Sequence, residues 1–130
     1  MNKEKLNMLK EYINIEILPI LIENVSDLMF EDSVILEANC DIAELNGHYE
    51  GINFVAPSWY NELAKKQEKI LIINNINQID KEEQTKFIEI LKYRKVSTFD
   101  LDKNCIIIVT ANNLKENPIN QEVYSLMVHI

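Results

Sequence analysis

The sequence predicts a small α/β domain, a three-layer sandwich with a mostly parallel sheet and helices on both faces. Three observations carry that expectation. Val34-Ile35-Leu36, Ile70 to Ile73 and Ile106 to Val109 are short runs apolar at every position, the pattern of strands covered on both sides. The stretches between them contain helical patterning, so the strands pair through crossovers and not through tight hairpins. Finally, 130 residues at 47% apolar and 26% charged can close one core without a disulfide or a metal. Neither an internal repeat nor a low-complexity linker interrupts the chain, which reads as one domain over 1–130.

Taken in order, Asn2 to Tyr12 forms a short helix, with Leu6, Leu9 and Ile13 at helical spacing. Pro19 then opens an amphipathic helix to about Phe30, with Leu18, Leu21, Ile22, Val25, Leu28 and Met29 on one face. The competing reading makes Ile17 to Ile22 a buried strand. Ser33 to Cys40 holds the first core strand, and Asp41 to Ser58, with both glycines and no period, is a long loop. Trp59 to Gln67 is a short helix behind Pro57-Ser58, and Ile70 to Ile73 is the second strand. Asp80 and Glu83 have the spacing of a capping box, followed by a helix with Phe87, Ile88 and Leu91 buried and a Glu82/Lys86 pair on its wet side. Val96 to Leu101 suits a small hairpin, Cys105 to Ala111 the third strand, and Ile119 to Ile130 a last helix and tail. Ile72, Ile107 and Phe87 are expected to be buried together.

Charge narrows the function. A formal net charge of -8 and a single arginine, Arg94, argue against nucleic acid, whose affinity comes from clustered cations. The small groups Lys65-Lys66-Lys69 and Lys92-Arg94-Lys95 read as solvated helix ends. Neither a signal peptide nor a membrane span is visible, and Cys40 and Cys105 are far apart and read as buried thiols, so the expected setting is the cytoplasm. His48 and His129 have no Cys or acid at ligand spacing, so no metal and no cofactor are expected. Triad and nucleophile-elbow patterns of hydrolases are absent too, and the chain reads as a non-enzyme.

The most informative stretch is Leu71-Ile72-Ile73-Asn74-Asn75-Ile76-Asn77. With the Pro57-Ser58-Trp59 loop before it and Val109-Thr110-Ala111-Asn112-Asn113 after it, the chain from about Gly47 onward resembles the second half of an AAA+ ATPase core of the MoxR-like type. In that family the Walker B strand runs into Asp-Glu-Ile-Asn, where the acids hold Mg²⁺ and orient water. Here Asn74 and Asn75 stand in those places, the Ile-Asn tail is kept, and Asn112 falls at the sensor-1 position. Leu126 lies where the resemblance implies an arginine finger. An amide holds no hard cation and takes no proton. A phosphate cradle needs glycine and lysine, yet no glycine precedes Gly47 and no Gly-Lys pair occurs. The chain thus resembles a degenerate, truncated member of this P-loop superfamily, without the helical lid that follows the core.

The expected function is a non-catalytic protein-interaction or regulatory domain that does not bind ATP. One alternative is an accessory subunit of an AAA+ ring, an intact ATPase partner supplying the P-loop; another is a small acidic inhibitor of a basic protein. Asn74, Asn75, Asn112 and Leu126 are then vestigial nucleotide-site positions, the alternative for the asparagines being plain turn formation. Phe54, Trp59 and Tyr60 are candidate partner-binding aromatics, with core packing the alternative for Trp59 and Tyr60.

Overall fold

A computed structural model of the chain describes residues 18–24 and 33–130. Five strands form one all-parallel sheet: β1 (Ile20–Glu23), β2 (Val34–Glu37), β5 (Ile70–Asn74), β8 (Ile106–Ala111) and β9 (Val128–His129), in the order β2-β5-β8-β1-β9. Two antiparallel hairpins stand outside it, β3 (His48–Glu50) with β4 (Asn53–Val55) and β6 (Lys95–Val96) with β7 (Phe99–Asp100). The described helices are short: α1 (Ile42–Asn46), α2 (Ser58–Ala64), α3 (Lys81–Gln84) and α4 (Gln121–Tyr124). After α3 the chain keeps coiling through a 3-10 turn, Thr85–Phe87, and a π turn, Glu89–Tyr93, until Arg94 ends it in a left-handed conformation. The α/β class and the parallel sheet are thus those the apolar runs predict.

The largest correction falls on the second predicted helix. Its first part is strand β1, between β8 and β9 in the sheet, with Ile20, Leu21 and Ile22 at 1% exposure or less. A short run of β-branched and apolar residues fits a helix face or a strand buried on both sides equally well, and the flanking parallel partners decide it. The backbone amides of Val128 and Ile130 donate to Pro19 and Leu21 carbonyls, which lays the C-terminal strand alongside. The helix expected over Asn2 to Tyr12, and the Val25 to Phe30 half of the second, lie outside the described residues.

Alternation divides the apolar side chains between the two sheet faces. Leu21, Leu71, Ile73, Ile107 and Val109 join Leu45, Trp59, Leu63, Phe87, Ile90 and Val123 in the larger cluster, so α1, α2, α4 and the coil through Phe87 and Ile90 pack on that face. Ile20, Ile22, Ile70, Ile72 and Ile108 form a second buried cluster on the other. Ile72 is therefore separated from Phe87 and Ile107 by the sheet itself, contrary to expectation. The register pairs Leu71 with Ile107, so Ile72 points the opposite way. Strand β2 is a sheet edge whose Ile35 is 44% exposed, so it is not buried on both faces.

The capping box does not form. Asp80 has the extended backbone of an N-cap, but its side chain caps nothing. The segment is held by Gln84, which is 1% exposed: its Nε2 donates to the Ile79 carbonyl at 3.1 Å and its Oε1 accepts from the Asn120 amide at 2.8 Å. Lys86 is not on a wet face paired to Glu82. Its side chain is 8% exposed, and Nζ donates to the Cys40 carbonyl at 2.6 Å, with Glu83 at 3.9 Å. Arg94, half-buried, ties the second hairpin to the start of β8 by donating to the Asp102 and Cys105 carbonyls.

Candidate functional site

In an all-parallel sheet every strand ends at the same edge, and ligand crevices of open α/β sheets form there, at the point where strand order reverses. The chain passes from β1 to the far edge at β2, works back through β5 and β8, and then places β9 beyond β1. The reversal lies between β8 and β1. Strand ends at and around it read Glu37, Asn74, Ala111 with Asn112, and Glu23 with Asn24, so the edge is built mainly of amides.

Parallel pairing of β5 with β8 brings Asn74, Asn75 and Asn112 together, as the order of parts implied. The Thr110 hydroxyl donates to Asn74 Oδ1 at 2.7 Å and accepts from the Asn75 amide at 2.9 Å. Asn112 Nδ2 donates to Asn75 Oδ1 at 3.1 Å, and Asn74 Nδ2 donates to the Glu37 carboxylate at 3.1 and 3.3 Å. Asn77 closes the group from below. Only 8% exposed, it donates to the Asn112 and Asn117 carbonyls and accepts from the Asn112 amide at 3.2 Å. Asn24 receives the Asn113 amide at 3.4 Å, and its own amide donates to the Ala111 carbonyl at 2.8 Å.

Local backbone explains part of this composition. Asn24, Asn75 and Asn113 have φ of 58°, 60° and 56°, the left-handed region that asparagine tolerates best among residues with a side chain. Turn formation thus accounts for Asn75 as a residue type. It does not account for Asn74 and Asn112, which lie outside that region and whose side chains reach across strands.

Chemically the amide network is self-satisfied. Apart from Glu37, the residues of this network carry no charge, and the depression of about 490 Å³ beside it is lined by Asn77, Gln78, Asn112, Asn113 and Asn117. No buried side-chain polar atom among the described residues lacks a partner, so none points into the depression waiting for a ligand. Leu126 is elsewhere, half-buried against the main core. Among the described residues no three His, Cys, Asp or Glu side chains gather as a metal would need.

A second polar group joins β9 to β1. His129 Nε2 lies 3.1 Å from Glu23 Oε1 and its Nδ1 lies 2.9 Å from the Tyr124 hydroxyl, a partnership across 106 residues that local spacing could not reveal. The thiols are inert by environment. Burial pushes Cys105 up to about 11 against the opposing pull of Arg94, and burial raises Cys40 despite the neighbouring Lys86.

The candidate aromatics separate. Trp59 is buried at 5% exposure and its indole N–H donates to the Leu45 carbonyl at 3.0 Å, so it is a core residue and not a contact surface. Phe54 and Tyr60 are half-buried members of a row that sequence reading missed: ring centroids run Tyr49 to Phe54 at 5.2 Å, Phe54 to Phe99 at 5.4 Å, and Phe99 to Tyr60 at 5.6 Å. The row exists because β3–β4 and β6–β7 are hairpins, in a region read partly as loop. Gly47 permits the fold-back at φ 79°, where a Cβ would meet the Val55 carbonyl oxygen at 2.3 Å.

No family model matches this chain, and neither does any curated protein. No described helix is long and apolar enough to cross a membrane.

Proposed function

We propose that this protein is a non-catalytic, AAA+-like interaction or regulatory domain of the cytoplasm that neither binds nor hydrolyses ATP. The observation that carries the reading is the closed amide network. At the edge where an AAA+ core of the MoxR-like type would hold Mg²⁺ and water, Asn74, Asn75 and Asn112 spend their hydrogen-bonding groups on Glu37, on Thr110 and on one another. The resemblance also expects the sensor-1 strand beside the Walker B strand with both loop ends on one edge, and the parallel β5–β8 pair agrees with it.

Calorimetric titration with Mg-ATP tests this. No saturable heat is expected at micromolar concentrations, and saturable binding there would overturn the reading. Asn74→Asp with Asn75→Glu is expected to restore no turnover, because acids alone do not supply the amide cradle and lysine that phosphate needs.

A further inference from the structure

We infer that Asn46-Gly47 is a latent modification site, closed while the protein is folded and converted by water to aspartate or isoaspartate when the end of α1 lifts from the first hairpin. Among the chain's many asparagines only Asn46 precedes a glycine, since the other glycine, Gly51, follows Glu50. The reaction is intramolecular. The Gly47 backbone nitrogen gives up its proton to solvent and bonds to the Asn46 side-chain carbonyl carbon, the Cγ–Nδ2 bond breaks, and ammonia leaves a cyclic imide behind. Water then opens the ring at either carbonyl. One opening gives aspartate, and the other gives isoaspartate, with the main chain rerouted through Cβ and Cγ. Glycine favours the attack because no side chain shields its nitrogen and its backbone turns most freely. Asn74, Asn75, Asn77 and Asn112 are followed by asparagine, isoleucine, glutamine and asparagine, whose side chains hinder the same approach.

The fold closes this site from both sides. Asn46 is the last residue of α1, and ring closure needs it to rotate out of its helical ψ. The attacking nitrogen is already engaged, because the Gly47 N–H donates to the Ala43 carbonyl at 2.9 Å. On the other side of Asn46, the Leu45 carbonyl accepts from the buried Trp59 indole N–H at 3.0 Å, and the Leu45 side chain is 0% exposed in the larger core. Gly47 itself lies against β4: a Cβ built on it would stand 2.3 Å from the Val55 carbonyl oxygen and 3.0 Å from the Phe54 ring. The end of α1 therefore does not fray alone. It opens together with the hairpin.

Conversion also hinders the return. Isoaspartate lengthens the main chain between α1 and β3, which displaces Gly47 from the place that the Ala43 carbonyl and the Val55 backbone define. Aspartate keeps the chain length but adds a negative charge at the helix end that disfavours anions, in a segment already bearing Asp41, Glu44 and Glu50. Each product thus weakens the contacts whose loss produced it, and chemical change of the opened chain makes the opening irreversible.

The test incubates the whole chain at mildly alkaline pH, folded and in denaturant, and follows aspartate and isoaspartate at each asparagine by peptide mapping with mass spectrometry. Conversion at Asn46 is expected to be at least about tenfold slower in the folded protein, since an engaged amide reacts only through local opening. Trp59→Phe leaves the Leu45 carbonyl unheld. In variant protein that keeps the wild-type circular dichroism, faster conversion at Asn46 is expected, with faster deuterium exchange of the Gly47 amide. Equal rates in folded and denatured chain, another asparagine converting ahead of Asn46 in denaturant, or an unchanged rate in Trp59→Phe would overturn the site. Should that variant lose its fold, the wild type in graded, sub-denaturing urea carries the test. There conversion is expected to rise with exchange of the Gly47 amide, and a level rate while that amide opens would equally overturn the site.

Discussion

The carboxyl edge of the sheet and the aromatic face of the hairpins treat their functional groups in opposite ways. At the edge, Asn74, Asn75, Asn77 and Asn112 satisfy one another, Thr110, Glu37 and the neighbouring backbone, and no buried polar atom there is left for a ligand. At the aromatic face, Tyr49, Ile52 and Phe99 keep apolar surface in water, at a cost of about 25 cal/mol for each Å² left uncovered. A polar network that closes on itself stabilises the fold it stands in, while uncovered rings favour a partner. In this molecule the position at which a sheet of this kind usually holds a ligand is closed on itself, and the uncovered rings lie on the hairpins.

That contrast can be broken in graded ways. The floor beneath the edge is the larger core, and Phe87, at 0% exposure, is its largest fully buried side chain. Phe87→Ala is expected to lower unfolding free energy by roughly 3 to 5 kcal/mol in denaturant titration. A loss below about 1 kcal/mol would mean that the sheet does not rest on that residue.

Next in size is Asn77→Ala, which strips partners from the Asn112 and Asn117 carbonyls and the Asn112 amide. The expected cost is about 1 to 3 kcal/mol, since buried backbone groups are left unpaired. An unchanged midpoint would show that the amides are ornaments of a turn and not structural members.

The opposite end of β8 supplies a pH-dependent control. The Cys105 thiol lies above its ordinary value of 9.0, at about 11, because burial disfavours the thiolate. The folded state therefore keeps its proton while the unfolded chain loses it. Stability from this group is full below pH 9 and falls as pH rises toward 11, by at most about 1.4 kcal/mol per pH unit. Cys105→Ala is expected to flatten that limb in alkaline denaturation curves, and an unaltered limb would contradict the burial argument.

Smallest is Tyr49→Ala. At 66% exposure the ring contributes little to the fold, and a stability change under about 1 kcal/mol is expected. A large loss would make the aromatic row part of the core.

Much of this arrangement was legible in the residues. Three all-apolar runs specified the parallel strands β2, β5 and β8, and the resemblance to an AAA+ core implied that Asn74, Asn75 and Asn112 would meet at one edge. Strand β1 was less legible because its apolar residues, Ile20 to Ile22, are all buried and have no period to distinguish strand from helix. The first hairpin was missed because three-residue strands are too short to show alternation, although Tyr49 and Phe54 flank the Gly51 turn symmetrically and pair across it. Gln84, Lys86 and His129 take partners 36, 46 and 106 residues away, which no local pattern encodes.

The most direct test of the contrast follows the side-chain amide resonances of Asn75, Asn77 and Asn112 in a labelled sample as Mg-ATP is added. The account predicts that they stay in place at every micromolar concentration, because their hydrogen bonds are already made within the protein. Saturable movement of those resonances would mean that the carboxyl edge opens to nucleotide, and would contradict the central claim.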